Sequence, residues 1–295
     1  MRLTRALAAA AAAVALAGAA ASGGATATAG TAPRPAPSAT PTPPGVGDFA
    51  GVIRISGCSA ALVAFRHAAP DQPALMLTNG HCWTRMPEAG EVLVDLPADA
   101  PAVLLKADGS VAARLRTTRL LYATMTDTDA ALHRLDTTYR EIARRYRIRP
   151  FTLAARGPRP GDRITVNSAY HRKRYHCTAD RAVFAVREAG WTWKNPIRYS
   201  PACDLPHGSS GAPLLDDATG EVVGVHNTSN DADDQPCALN NPCEVDEDGT
   251  VTSGPKDIGY AQQVAGFTTC VDARARLDLA VSGCTLPKPR ARARR

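Results

Sequence analysis

The sequence predicts an all-β protein built as a barrel or a sandwich. From residue 49 onward, short apolar runs alternate with turns rich in Gly, Pro and Asp, a rhythm that favours antiparallel sheets over βαβ units. Two series of runs flank one segment, Thr137–Tyr146, whose apolar residues recur at helical spacing. We therefore expect two β halves, roughly residues 49–135 and 150–270, connected by a short helix.

Each strand is predicted from the same pattern of apolar runs and turn residues. With 295 residues, the chain is long enough for one large core or two small ones. The strands predicted in the first half are Gly51–Ile55, Ala60–Phe65, Ala74–Thr78, Glu91–Leu96 and Ala102–Lys106. Those in the second half are Arg163–Ser168, Arg181–Arg187, Ala212–Leu215, Glu221–His226 and Ile258–Val264.

The N-terminal residues 1–29 have the features of a secretory signal peptide. Arg2 and Arg5 precede a short apolar run, Ala6–Ala17, and small residues suited to cleavage follow. The run is shorter than the ~20 residues of a membrane span. Eight cysteines, an even number, also fit an oxidising compartment. We therefore expect a secreted, extracellular protein without a membrane span.

The segments at either end of the predicted domain differ from it in composition. Residues 30–48 are rich in Pro, Ala and Thr, which predicts an extended linker or a short propiece. The protein domain is expected to occupy residues 49–285, and residues 286–295 to form a basic, disordered tail. The formal net charge is +6, but eight basic residues lie in residues 1–45 and 288–295, so residues 46–287 carry −2. A nucleic-acid-binding face is therefore not expected.

Three segments carry the residues of a nucleophilic hydrolase. They are Leu77–Cys82 (Leu-Thr-Asn-Gly-His-Cys), Asp129–Leu135 (Asp-Ala-Ala-Leu-His-Arg-Leu) and Gly208–Pro213 (Gly-Ser-Ser-Gly-Ala-Pro). A serine hydroxyl becomes a strong nucleophile when an imidazole accepts its proton and a carboxylate orients that imidazole. The order His, Asp, Ser along the chain supplies these three groups.

These segments resemble the chymotrypsin/trypsin superfamily, and more closely its bacterial secreted branch that includes the glutamyl endopeptidases. The family's corresponding segments read Thr-Ala-Ala-His-Cys, Asp-Ile-Ala-Leu-Leu-Lys-Leu and Gly-Asp-Ser-Gly-Gly-Pro. The resemblance covers roughly residues 49–270. It implies two antiparallel, six-stranded-type β-barrels packed together, with the active site in the cleft between them.

The resemblance also implies a role for each residue of the three segments. Ser210 would be the nucleophile, His81 the general base and then acid, and Asp129 the group that orients the imidazole. The backbone amides of Gly208 and Ser210 would form the oxyanion hole. Asp127 is the alternative to Asp129 as the acid. We interpret Ser209 as a serine of the turn without a catalytic role.

The substrate pocket has two competing interpretations. Asp204 lies six positions before Ser210, the spacing of the aspartate that gives trypsin its preference for Arg and Lys. His226 matches the histidine with which glutamyl endopeptidases bind a glutamate side chain, and we favour it slightly, although the specificity stays open. The other pocket residues expected are Asn227, Thr228, Ser229 and Gly259.

The resemblance implies a disulfide between Cys58 and Cys82. For the other six cysteines, short separations favour Cys237–Cys243 and Cys270–Cys284, which leaves Cys177 to pair with Cys203. A Cys203–Cys237 bridge is the main alternative, because sequence alone does not determine connectivity. A zinc site at His171, His176 and Cys177 is not expected, since no fourth ligand is in view.

The sequence thus predicts a secreted serine endopeptidase, a monomer that acts on proteins or peptides without a metal or other cofactor. Two alternatives remain. One is a non-catalytic binding protein with the same fold, and the other is an esterase that uses the same three residues, because both hydrolyses pass through an acyl-enzyme.

Overall fold

The computed structural model describes residues 48–200, 203–231 and 235–290, and the predicted pair of antiparallel barrels is confirmed. The strands of the first half are β1 (Val52–Ile55), β2 (Cys58–Ala64), β3 (Pro73–Thr78), β4 (Val92–Pro97), β5 (Pro101–Leu105), β6 (Val111–Thr124), β7 (Ala130–Thr138) and β8 (Phe151–Thr152). Six of them close a barrel in the order β1-β5-β6-β7-β3-β2, because β1 also pairs with β2. β4 adds to β6, and β8 runs parallel to β2.

Alternation along β6 shows why these residues form a strand with one face in the core. Ala113, Leu115 and Thr117 are buried, whereas Arg114 and Arg116 between them are exposed. β2 differs, because all seven of its residues are buried.

The strands of the second half are β9 (Arg163–Ser168), β10 (Lys173–Ala182), β11 (Ala185–Glu188), β12 (Trp191–Lys194), β13 (Ile197–Tyr199), β14 (Pro213–Asp216), β15 (Val222–Ser229), β16 (Cys243–Val245), β17 (Val251–Ser253) and β18 (Gly259–Gln263). Six of these close the second barrel in the order β10-β13-β18-β15-β14-β9. Its core includes Ile164, Val166, Leu214 and Ala261.

A separate four-stranded sheet, β12-β11-β16-β17, accompanies the second barrel. It corrects one sequence prediction, since the expected strand Arg181–Arg187 is divided between two sheets. β10 ends at Ala182 in the barrel, and β11 begins at Ala185 in the small sheet. The two parts have similar apolar content, so composition does not mark the change of sheet.

The predicted connecting helix is confirmed as α1 (Tyr139–Tyr146). Thr138 and Glu141 form a capping box at its N-terminus, and Tyr139 and Ile142 are buried against the first core. A second, short helix, α2 (Ala265–Thr268), follows β18.

The start of the predicted C-terminal tail is ordered. Leu286 is buried in the first core, and the carbonyl oxygen of Pro287 accepts a hydrogen bond from the Tyr122 hydroxyl at 3.2 Å. A disordered tail from residue 286 is therefore wrong for residues 286–290, and residues 291–295 lie outside the described residues.

Four disulfides link the eight cysteines, and the favoured pairings are confirmed. They are Cys58–Cys82, Cys177–Cys203, Cys237–Cys243 and Cys270–Cys284. The expected signal peptide, residues 1–29, lies outside the described residues, as does the linker up to residue 47. Within the described part of the chain, every helix is too short or too polar to span a bilayer.

Candidate active site

His81 and Asp129 meet because His81 follows strand β3, Asp129 precedes strand β7, and these two strands pair with each other. β3 ends at Thr78 and β7 begins at Ala130, and Thr78 pairs with Ala131 in the antiparallel register. A 3₁₀ turn at Gly80–Cys82 then carries His81 over the start of β7. The pairing of β3 with β7 thus brings the two predicted residues into contact.

The fully buried Asp129 carboxylate makes two hydrogen bonds to His81. Oδ2 lies 2.6 Å from Nδ1 of the imidazole, and Oδ1 accepts the His81 backbone N–H at 3.0 Å. A carboxylate acceptor places the ring proton on Nδ1 in the neutral imidazole, which leaves Nε2 free to accept a proton. The Asn79 side chain donates to the Asp129 carbonyl oxygen at 2.8 Å and so holds the loop in place.

Several charges act on the imidazole of His81. Burial lowers the pKa of His81, but the attraction and hydrogen bond of Asp129, together with the negative charge of Glu188, raise it more. The pKa of His81 therefore lies above its usual value of 6.5. Asp127, the alternative acid, lies away from His81 and forms an exposed ion pair with Lys194 at 3.0 Å.

Ser210 lies on the loop before β14, and the first barrel helps to hold this loop. The Ser59 amide on β2 donates to the Ser210 carbonyl oxygen at 2.8 Å. Gly211 has a φ of +78°, and a Cβ there would lie 2.2 Å from the Ser59 carbonyl oxygen, so only glycine allows this approach. Ser209 is fully buried and its hydroxyl donates to Ser168 at 3.2 Å, away from any substrate.

The Ser210 hydroxyl is directed to a backbone acceptor in this structure. It donates to the Asn227 carbonyl oxygen at 3.5 Å, and among the described residues it makes no hydrogen bond to His81. A rotation about the Cα–Cβ bond changes the partner of a serine hydroxyl. Hydrogen bonds between catalytic groups also often tighten only when the substrate is bound.

The backbone amides of Gly208 and Ser210 have no acceptor among the described residues. Within the described part of the chain, the N–H groups of Gly208 and Ser210 donate to no protein atom, whereas the Ser209 amide between them donates to the Pro206 carbonyl oxygen at 3.1 Å. Gly208 has a φ of +89°, a conformation that favours glycine. The arrangement leaves two donors free for a negatively charged oxygen.

A cavity of about 300 Å³ lies between the residues described so far. His81 and Ser210 both line it, and so do four of the expected pocket residues, His226, Asn227, Thr228 and Ser229. The other two expected pocket residues, Asp204 and Gly259, are not among the described lining residues of this cavity. Asp204 is exposed and lies beside Tyr175, and a side chain at Gly259 would meet the ring of Tyr199.

Comparison with known proteins assigns the family. Residues 58–225, more than half of the chain, match the trypsin-like peptidase domain. The chain belongs to the trypsin-like peptidase family.

Similar solved structures are low in identity to this trypsin-like peptidase. The MamO protease domain from Magnetospirillum magneticum shares 14% identity, with 74% of this chain and 93% of that chain covered and a TM-score of 0.46. Mouse neuropsin shares 13% identity, with 76% and 93% covered and a TM-score of 0.44. Nocardiopsis protease shares 15%, with 74% and 93% covered and a TM-score of 0.41. No curated protein matches the chain. The branch of the glutamyl endopeptidases is not singled out, so it stays a prediction.

His226 of this trypsin-like peptidase is buried and already engaged. Its Nδ1 is hydrogen-bonded to the hydroxyl of Tyr199, and the residue is only 3% exposed. Burial lowers the pKa of His226 to about 3, with the nearby His81 and His207 adding to the effect. The imidazole is therefore neutral at physiological pH.

Glu188 was not predicted from the sequence, although it is the one buried carboxylate among the described residues that line this cavity. It lies at the end of β11, where Val186 and Glu188 are buried and Arg187 between them is exposed. Period-two alternation is thus the signal that could have found it. The predicted strand Arg181–Arg187 ended one residue before it.

The potential metal ligands near the site are occupied by other bonds. Donor atoms of Cys58, His81 and Cys82 lie within 4.8 Å of one another, but the two sulfur atoms form a disulfide, and metal binding by cysteine requires the thiolate. His171 and His176, considered from the sequence, contact the His207 carbonyl oxygen and Thr165, respectively.

Proposed function

We propose that the protein is a secreted serine endopeptidase in which Ser210, His81 and Asp129 form the catalytic triad. The observation that carries the proposal is the buried contact between Asp129 and His81 at 2.6 Å, on the same cavity as Ser210, in a trypsin-like peptidase domain. The four disulfides are compatible with an extracellular location.

In the proposed reaction, the Ser210 hydroxyl oxygen attacks the carbonyl carbon of the scissile peptide bond. Its proton moves to Nε2 of His81, and the adjacent Asp129 carboxylate stabilises the imidazolium that results. The carbonyl oxygen becomes an oxyanion and accepts hydrogen bonds from the free amides of Gly208 and Ser210. Loss of one such donor costs about 2.7–4 kcal/mol of transition-state stabilisation.

The intermediate then collapses to the acyl-enzyme. The C–N bond breaks, and His81 gives its proton to the leaving nitrogen, so the C-terminal part of the peptide departs with a neutral amine. A water molecule next attacks the ester in the same way, giving its proton to His81, and the return of this proton to Ser210 restores the enzyme.

Labelling with a fluorophosphonate probe tests the nucleophile. The purified protein should be labelled, and Ser210→Ala should lose both labelling and peptide hydrolysis while its thermal unfolding stays unchanged. Ser209→Ala is the matched control and should keep most of both, because its hydroxyl contacts Ser168 rather than the cavity. A Ser210→Ala variant with a tenth of the parent activity would place the nucleophile elsewhere.

Cleavage of a peptide library by the unlabelled protein tests the substrate class. Internal peptide bonds should be cut at a rate that depends on Ser210. Labelling together with hydrolysis of simple esters but not of peptides would favour an esterase, and absence of labelling would favour a non-catalytic binding protein.

A further inference from the structure

Glu188 places a buried carboxylate at the candidate active site. The residue is only 3% exposed and lines the cavity with His81 and Ser210. Oε1 accepts the Asn240 backbone N–H at 2.8 Å, and Oε2 is buried and makes no direct hydrogen bond to the described residues. The turn after Glu188 is held by a hydrogen bond from the Ala189 amide to the Cys237 carbonyl oxygen at 2.7 Å. The carboxylate is therefore held in place at the cavity.

Leaving this carboxylate buried without a partner is energetically unfavourable. Burial raises the pKa of Glu188, an effect that the Asn240 amide, the Thr228 hydroxyl and the charge of His81 oppose. In the described part of the chain, no lysine or arginine forms an ion pair with Glu188. A buried charge of this kind is stabilised when a charge of opposite sign approaches it in the same low-dielectric site.

The charges around the cavity favour a cation. Among the described residues, its lining contains two carboxylates, Glu188 and Asp231, and no lysine or arginine. Asp231 already has a partner, since its Oδ2 lies 3.2 Å from Nε2 of His207. His226 is neutral, as its low pKa requires. A negatively charged side chain in this cavity would face Glu188 without a compensating cation.

The walls of the cavity suit the hydrocarbon part of a long basic side chain. Trp191 pairs with Glu188 across the β11–β12 register, and Trp193 pairs with Val186. Both indoles line the cavity, together with Met86. Lysine and arginine bury their methylene groups against such surfaces and keep the charged end at a polar group, and indole faces attract cations.

We propose that Glu188 is a specificity-determining residue that selects substrates with a lysine or arginine side chain next to the scissile bond, attracting the cationic group through the negative charge of its carboxylate. The assignment rests on the proposed endopeptidase function for its substrate class. The cation site itself can be tested without turnover.

Binding of n-butylguanidinium, which reproduces an arginine side chain, tests the site directly. Calorimetric titration of Ser210→Ala should show binding at millimolar concentrations or below, and butylurea, its neutral analogue, should bind at least tenfold more weakly. Adding Glu188→Gln should weaken butylguanidinium binding at least tenfold. Adding Asp204→Asn, the matched control, should change it by less than twofold, because Asp204 is exposed outside the cavity. Equal binding to the Glu188→Gln and parent proteins, or no binding to the parent, would overturn the proposal.

Glu188→Gln is expected to fold, because its side-chain oxygen can still accept the Asn240 amide. Thermal unfolding checks this point. If the variant does not fold, Glu188→Asp keeps the charge but moves it by one methylene, so it should weaken butylguanidinium binding without abolishing it. The comparison of butylguanidinium with butylurea on the parent protein remains decisive in either case.

Paired substrates test the same residue during turnover. Peptides with arginine or with its neutral isostere citrulline near the cleaved bond should differ at least tenfold in kcat/KM, and Glu188→Gln should remove this difference. Hydrolysis that depends on Ser210 but shows no such preference would refute the role of Glu188 and leave the endopeptidase intact. Butylguanidinium binding without any hydrolysis would instead refute the endopeptidase and leave the cation site.

Discussion

Substitution of Asp129 by asparagine tests the candidate triad at its most buried contact. Asp129 is fully buried, with Oδ2 at 2.6 Å from Nδ1 of His81 and Oδ1 accepting the His81 backbone N–H. In Asp129→Asn the side-chain oxygen can keep the backbone amide, which leaves the NH₂ group facing Nδ1. That NH₂ group donates, so Nδ1 must accept and the ring proton moves to Nε2. The imidazole can then no longer take the proton of Ser210.

The expected loss in kcat is about 10⁴-fold, the magnitude for the wrong imidazole tautomer in a serine triad. This corresponds to about 5.4 kcal/mol of transition-state stabilisation. It should be measured as kcat on the best peptide substrate, with thermal unfolding recorded alongside to show that the variant is folded.

Asp127→Asn is the matched control for this experiment. Asp127 has a positive φ of 61°, which asparagine tolerates, and its ion pair with Lys194 is exposed. Such a pair contributes about 0–1 kcal/mol, so kcat should change less than twofold. If Asp129→Asn kept a tenth of the parent kcat while Asp127→Asn lost most of it, the acid would be Asp127 and the argument from the 2.6 Å contact would be refuted.

The pH profile and the buried tyrosine–histidine pair supply the remaining predictions. His81 must be neutral to act as a base, so kcat/KM should be maximal above its raised pKa and fall as pH drops through it, with the half-maximal point above pH 6.5. A profile flat between pH 5 and 8 would contradict this, since the pKa of His226, at about 3, lies outside that range. His226→Ala should lower the free energy of unfolding by about 1–3 kcal/mol, because the buried hydroxyl of Tyr199 loses its partner. It should leave the preference between acidic and basic substrates unchanged, and a selective loss of cleavage after glutamate would instead support the glutamate pocket.

Residues whose function depends on local sequence context could be placed before the fold was known. The segment containing His81 directly follows the predicted strand Ala74–Thr78, and the segment that begins at Asp129 resembles a strand of the trypsin superfamily, so short segments were enough to single out both residues. Disulfides that close short segments were found in the same way, because nearby cysteines meet without knowledge of the whole fold. The connecting helix followed from the helical spacing of its apolar residues.

The pattern of apolar residues along the chain did not predict features that depend on which strands pair with each other. The run from Arg181 to Arg187 has one composition but belongs to two sheets, since a barrel strand and a strand of the added sheet satisfy the same hydrophobic alternation. Asp204 has the expected spacing from Ser210, yet it is exposed outside the cavity, because spacing along a loop does not determine the direction of a side chain.

The sequence by itself predicted the β class and the helix, favoured the disulfide pairs over one alternative, and indicated the three residues proposed for catalysis through their resemblance to a known family. These follow from short-range patterns, in which each residue is constrained by its neighbours in the chain. Only the tertiary structure decided which side chains share the cavity. Glu188 lines the same cavity as His81 although the two residues are distant in sequence, and burial beside Tyr199 in the second barrel keeps His226 neutral. Burial and the electrostatic effects it produces depend on residues distant in sequence, so the charge of the pocket emerges only when the chain has folded.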